Sequence, residues 1–198
     1  MYDDKADAYA GQVWSPTAAA FLMDRGLAHS TIHRFRLGYV DVPFKEDRKR
    51  KGCLTIPYED GMGRVRQIRY RPLFKSDAKY LTVAGEKAHL FAVRAADNPR
   101  VCVAEGEIDA MTLWQVGLKA VGLPGAQSWK DEWRWLFRNC ERVTLCLDPD
   151  DAGFRAAQRL YQGLSTITDV DVVKFPPDMD VNDFYRKYGA DALREVVG

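Results

Sequence analysis

Three carboxylates fall within four residues of "LCLDPDDAGFRAAQRL" (145–160): Asp148, Asp150 and Asp151. They directly follow an apolar, β-prone run. Like charges at this density repel, and an aspartate beside an apolar strand end is costly to desolvate. Glu105 stands in the same relation to another strand-like run, "VCVA" (101–104), and Asp109 comes one helical turn later. A third group, Asp178, Asp180, Asn182 and Asp183, follows "VVKF" in "PPDMDVNDF". All these side chains offer oxygen. A divalent cation that prefers hard oxygen ligands, Mg²⁺ first with Mn²⁺ as its substitute, would offset the repulsion. No His stands beside the acids, and Cys102 and Cys146 sit inside apolar strand-like runs as buried thiols, so zinc is not expected. A metal held by a few carboxylates, with positions left open, is the usual setting for phosphoryl or nucleotidyl chemistry.

Plainer roles compete for each acid. An Asp before a helix is most often an N-cap, which would account for Asp151 ahead of "AGF" and Asp183 ahead of "FYRKYG". Pro149 between two aspartates suits a type I turn. Asp178 fits a solvated loop and is left outside the site. Asp148 and Asp150, two apart in an extended segment, point the same way. Taken alone, that pair leaves structure and function evenly balanced. Glu105 at a second strand end moves the weight to function.

The elements that must position these residues are legible downstream of about residue 98. Strand-like "VCVA", "KAVGLP", "RVTLCL" and "DVDVVKF" alternate with helix-like "EIDAMTLWQVG", "KDEWRWLFRN", "AGFRAAQRLYQGL" and "VNDFYRKYGADALREVV". Such alternation with short connections predicts an α/β fold: a parallel sheet flanked by helices, with functional groups at the carboxyl ends of its strands. Upstream the texture changes. "SPTAAAFLMDRGL" and "AHSTIHRFRLGY" predict two short helices, with Pro16 and Ser30 near their starts. "GCLTIPYED", "GRVRQIRYRPLF" and "KYLTV" predict short β segments. The polar stretch "RAADNPR" (94–100) marks the expected boundary. The chain divides into a small basic α+β subdomain (1–97) and an α/β domain (98–198).

The bulk numbers narrow the class. The 198 residues are 46% hydrophobic and 29% charged, so a cored globular protein is expected. The net charge of +1 announces no nucleic-acid partner overall, and any such partner must meet a local patch. Arg64, Arg66, Arg69, Arg71, Lys75 and Lys79 form one candidate, for which a solvated sheet face is the default. Cys53, Cys102, Cys140 and Cys146 form no CxxC pair and read as buried thiols, as in a reducing cytoplasm. His29 and His33 read as an exposed helix face. No run is long enough to cross a bilayer, so no membrane partner is expected.

"EGEID" (105–109) and "DPDDAG" (148–153) together resemble the two acidic motifs of the Toprim domain, found in DnaG-type primases, topoisomerases and some nucleases. By that resemblance Glu105, Asp109, Asp148 and Asp150 form the metal site, with Glu105, Asp148 and Asp150 catalytic. "DVNDF" resembles the segment that supplies further acids. Asp180 matches it, while Asn182 stands where bacterial enzymes usually carry Asp, which leaves one metal position weaker or neutral. Upstream, "RGLAHSTIHRFRLGYV", "LTIPYEDGMGRVRQIRYRPL" and "KYLTVAGEKAHLFAV" resemble the N-terminal subdomain of a DnaG-type primase core. That resemblance implies that Arg71, Lys79, Tyr80 and Arg25 line a groove for template and nucleotide.

The family likeness covers residues 16 to 190. It implies RNA primer synthesis on single-stranded DNA from NTPs at a two-metal carboxylate site, with a separate zinc-binding module and a replicative helicase as further partners. The family's zinc-binding and helicase-binding domains find no match here, and its helical third part is truncated or absent. A phage or mobile-element primase with its zinc module on another chain accounts for this. Two alternatives stay open: a Toprim-type metal-dependent nuclease, and a non-catalytic module that binds single strands or nucleotides. Among the remaining residues, Ala152 and Gly153 predict close packing of a helix start on the sheet edge. "PGAQSW" predicts a turn, and the three Trp of "WKDEWRWLF" core and boundary positions.

Overall fold

The computed structural model describes residues 2–81, 85 and 87–198, which form two compact units, Met1–Lys87 and Ala88–Gly198. The stretch 94–100 therefore lies inside the second unit, where Val93–Asp97 form a 3-10 helix. No helix among the described residues is long and apolar enough to cross a membrane.

The first unit holds helices α1 (Tyr2–Ala10), α2 (Pro16–Asp24) and α3 (His29–Arg34) and a three-stranded antiparallel sheet. Its strands are β1 (Gly38–Tyr39), β2 (Cys53–Glu59) and β3 (Val65–Pro72), in that order. Ser15 caps α2, accepting from the Ala18 N–H, and Pro16 occupies the first turn, where its missing N–H costs nothing. Ala28 takes the N-cap position of α3 with Ser30 in its first turn, and the exposed His29 ring stacks on Trp14 at 4.3 Å. Of the expected strand "KYLTV", Leu81 forms one antiparallel bridge to Tyr70, and Thr82 and Val83 lie outside the described residues.

Helix α1 has no counterpart among the sequence expectations. Its Ala6 and Tyr9 bury against Val40, Cys53, Val65, Ile68 and Tyr70. Gly38 permits this approach, because a Cβ there would lie 2.5 Å from the Tyr9 backbone. Beneath the helix Asp47 is wholly buried. It accepts from the hydroxyls of Tyr9 (2.8 Å) and Tyr70 (3.2 Å) and pairs with Lys5 (2.9 Å) and Arg50. Burial opposes ionisation of Asp47, but Lys5, Tyr9 and Arg50 hold its carboxyl below the usual range. Burial pushes the neighbouring Cys53 thiol up to about 11.

The second unit is built on a four-stranded, all-parallel sheet of order β5-β4-β6-β7. The strands are β4 (Arg100–Ala104), β5 (Ala120–Gly122), β6 (Arg142–Cys146) and β7 (Asp169–Val172). The helices are α4 (Glu107–Gln115), α5 (Asp151–Leu164) and α6 (Val181–Val197). Side chains alternate across the sheet. Val101, Val103, Val121, Val143 and Leu145 join Ala156, Ala157, Leu160 and Leu164 of α5 in one core. The smaller Cys102, Ala104, Thr144 and Cys146 fall on the opposite face. All four cysteines are free and buried.

Three elements differ from the sequence expectation. The segment Asp131–Phe137 is a 3-10 helix: only Phe137 is fully buried, so no α-helical stripe is needed to anchor it. Trp129 enters the core, Trp133 packs against it, and Trp135 is exposed. Strand β5 stops before Pro124, which has no N–H for the ladder. Helix α6 is interrupted at Gly189, whose φ of 86° breaks the helical path. Gly117 ends α4 as expected, in a left-handed conformation.

Candidate functional site

Within the second unit, the parallel register pairs Ala104 of β4 with Cys146 of β6. The two chains leave the sheet side by side, and the residues that follow meet. The Asp148 backbone N–H donates to Glu105 Oε2 at 3.4 Å. Acids 43 positions apart in sequence thus adjoin at one strand-end edge.

The turn after β6 has a steric reason for its composition. A Cβ on Gly153 would lie 2.1 Å from the Asp148 carbonyl oxygen, so only glycine lets α5 begin this close to the strand end. Asp150, not Asp151, is the N-cap of α5, its Oδ1 accepting from the Gly153 N–H at 2.7 Å. Asp151 is the first residue of the helix and exposed. Asp180 repeats the device at α6, its Oδ1 accepting from the Asp183 N–H at 2.6 Å, so Asp183 is the donor and not the cap. Each capping carboxylate keeps a second oxygen for another partner.

Asp109 and Asn182 bind α4 to α6. Asp109 is 8% exposed, and its Oδ1 accepts from the Asn182 backbone N–H at 3.1 Å. The Asn182 side chain is fully buried, and its Nδ2 donates to Thr112 Oγ1 at 2.9 Å. Thr112 in turn donates to the Ile108 carbonyl. Three helices, α4, α5 and α6, start near this chain of acids, and their N-termini favour negative charge there.

Among the described residues, no group of three or more Asp, Glu, His or Cys side chains is gathered into a cage that could hold an ion as it stands. The donor chemistry nevertheless suits a hard divalent cation. Glu105, Asp148 and Asp150 supply carboxylate oxygens, and the nearest thiols, Cys102 and Cys146, are buried in the sheet. An apolar groove of about 660 Å³ opens beside Asp148 and Asp150, with Phe154, Tyr161, Val172 and Phe175 in its wall.

In the first unit the basic residues have separate fates. Arg64 and Arg66 both pair with Asp60, at 3.0 and 2.7 Å, on an exposed surface. Arg71 is half-buried and donates to the Tyr80 hydroxyl at 3.3 Å. Arg25 lies over the Phe21 ring, and Lys79 is exposed. Arg69, part of the basic run expected on a solvated sheet face, is instead buried, and it shares β3 parity with Arg71.

Comparison with known proteins agrees with this geometry. The Toprim-like family profile matches residues 102–185. The Gene 57 protein of Mycobacterium phage D29 is 35% identical over 153 residues, covering 74% of this chain and 99% of that protein. The DNA primase of Enterococcus faecalis is 33% identical over 229 residues, covering 90% of this chain but only 36% of the primase. A solved DnaG primase catalytic domain bound to ssDNA superposes with a TM-score of 0.79 at 25% identity, over 98% of this chain and 77% of that one. Two acidic motifs meeting at one strand-end edge of a parallel sheet, in a chain aligned almost throughout with primases, place this protein in the family of DnaG-type primase catalytic cores with a Toprim domain.

Proposed function

We propose that the chain carries out DNA-templated RNA primer synthesis, as a nucleotidyltransferase acting on NTPs along single-stranded DNA. The observation that carries this reading is the contact of Glu105 with the Asp148 backbone across the ends of β4 and β6. It supports one site fed by both acidic motifs.

Glu105, Asp148 and Asp150 would hold divalent metal, Mg²⁺ or Mn²⁺, supported by Asp109, Asp180 and Asn182. The chemistry metal would supply there is a lowered pKa for a primer 3′-hydroxyl and charge neutralisation for the departing pyrophosphate. The protein's own groups do the positioning. Asp150 keeps one oxygen on the α5 N-terminus, which fixes the direction of the other. Asp109 fixes the start of α6 through the Asn182 N–H, and with it Asp180. Arg71, Lys79 and Arg25 supply positive charge for template or triphosphate, and Tyr80 orients Arg71.

The test is primer synthesis on single-stranded DNA with labelled NTPs and Mg²⁺ or Mn²⁺, with and without a supplied zinc-binding module. Wild type should yield short RNA, and Asp148→Asn should lose about 100-fold or more of the rate without a change in melting temperature. No product from wild type under any of these conditions overturns the proposal. Strand cleavage without NTPs would point to a nuclease instead.

A further inference from the structure

Arg69 sits in β3 opposite Ile56 of β2 and is only 9% exposed. A guanidinium at that depth needs compensation. Two tyrosines contribute it. Arg69 Nη1 donates to the Tyr58 hydroxyl oxygen at 3.2 Å, and its guanidinium carbon lies 3.9 Å from the Tyr80 ring centroid. A planar guanidinium suits the face of a ring better than an ammonium does.

Arg71, two residues on, shares that face of the strand. It donates to the Tyr80 hydroxyl at 3.3 Å and lies 5.2 Å from the Phe21 ring. Arg25 stands 5.7 Å from the same ring. Cations and rings therefore alternate: Arg25, Phe21, Arg71, Tyr80, Arg69. The backbone sets up the array. Leu81 donates to the Tyr70 carbonyl at 2.8 Å and packs with the Tyr70 core, so Tyr80 falls on the other face with Arg69 and Arg71. At the start of this strand Arg66, and Arg64 just before it, have their charge met by Asp60. Arg71, by contrast, meets the Tyr80 hydroxyl and the Phe21 and Tyr80 rings, contacts that orient a guanidinium without neutralising it.

We propose that Arg69 is a positioning residue for phosphate recognition: held against Tyr58 and Tyr80, it fixes the Tyr80 hydroxyl that aims Arg71 at a phosphate group. This rests on the reading of Arg71 and Tyr80 as contacts to nucleic acid or nucleotide. Without Arg69 the Tyr80 ring loses the guanidinium stacked 3.9 Å from its centroid, and Arg71 must be ordered anew each time a phosphate binds.

The test uses the full chain with Arg69→Met, Arg69→Lys, Arg71→Met and the double variant Arg69→Lys/Arg71→Met. Binding of fluorescein-labelled oligothymidylate is followed against KCl concentration, and binding of ATP by calorimetry. Melting temperatures show which variants fold, and Arg69→Lys carries the test if Arg69→Met does not. Both Arg69 variants should weaken binding about 3- to 10-fold. If the phosphate belongs to DNA, they should also lower the salt slope by about 0.7, as one lost single-strand phosphate contact does. Lysine should not rescue, because it keeps the charge and loses the planar stack. The double variant should bind no worse than Arg71→Met alone. Loss with oligothymidylate assigns the phosphate to template, and loss with ATP assigns it to the triphosphate; either supports the proposal. If Arg71→Met is weakened while the Arg69 variants bind as wild type, or if the two effects simply add, Arg69 has no positioning role and the groove reading stands. If Arg71→Met binds both ligands as wild type does, the groove reading falls and this proposal with it.

Discussion

At the scale of single residues, two tightly constrained positions border the candidate site. Gly153 has no room for a methyl group against the Asp148 carbonyl. Gly153→Ala should therefore cost about 1–3 kcal/mol in urea unfolding and displace Asp148, lowering primer synthesis more than its stability loss explains. Asn182 is the second. It is fully buried, with its backbone N–H on the Asp109 carboxylate. Asn182→Asp places a second negative charge there, as bacterial relatives are expected to have. The variant should melt below wild type in EDTA and recover in millimolar Mg²⁺, because an ion that binds only the folded state stabilises it. Melting that ignores Mg²⁺ in both proteins would argue against Asn182 lying near a metal.

At the scale of elements, the acids do two jobs. Asp150 and Asp180 are helix caps in the structure, whatever else they hold. Asp150→Ala should thus cost about 1 kcal/mol through α5 even where no metal is present. Urea unfolding in EDTA separates this cost from any loss of metal affinity. The helices that start at the strand ends explain why caps and candidate ligands coincide: an N-terminus stabilises the carboxylate that caps it. Parallel pairing of β4 with β6 supplies the rest, since it delivers Glu105 and Asp148 to the same edge without any local sequence signal linking them.

At the scale of the molecule, the first unit is fastened by a buried charge. Asp47 ties α1, through Lys5 and Tyr9, to Arg50 and to Tyr70 of the sheet. Its carboxyl ionises below the ordinary range when folded. The stability this confers is therefore fully present above the unfolded value of about 4 and is lost as pH falls through the lower folded value. Asp47→Asn should lose about 3 kcal/mol at pH 7 in urea unfolding, as expected when one partner of a buried ion pair is removed. The gap between variant and wild type should narrow as the pH drops below about 4. A gap that stays constant with pH would mean that the charge contributes nothing.

The sequence alone determined the second unit's type and the edge where its acids gather. Strands of Val, Leu and Cys alternating with helical stripes admit little besides a parallel α/β sheet, and "EGEID" and "DPDDAG" each abut a strand. It also determined that α4 stops before Gly117 and that α2 starts around Pro16, because those signals are local. Tertiary structure decided what depends on distant partners. Asp150 became the cap in place of Asp151 because Gly153 seats the helix directly on the Asp148 backbone. The helix α1 docked because Gly38 leaves room and Asp47 offers a buried counter-charge, two facts separated from it by about thirty to forty residues of chain. Arg69 left the solvated face that alternation alone assigns it, because Tyr58 and Tyr80 arrive from other segments, one with its hydroxyl and the other with its ring.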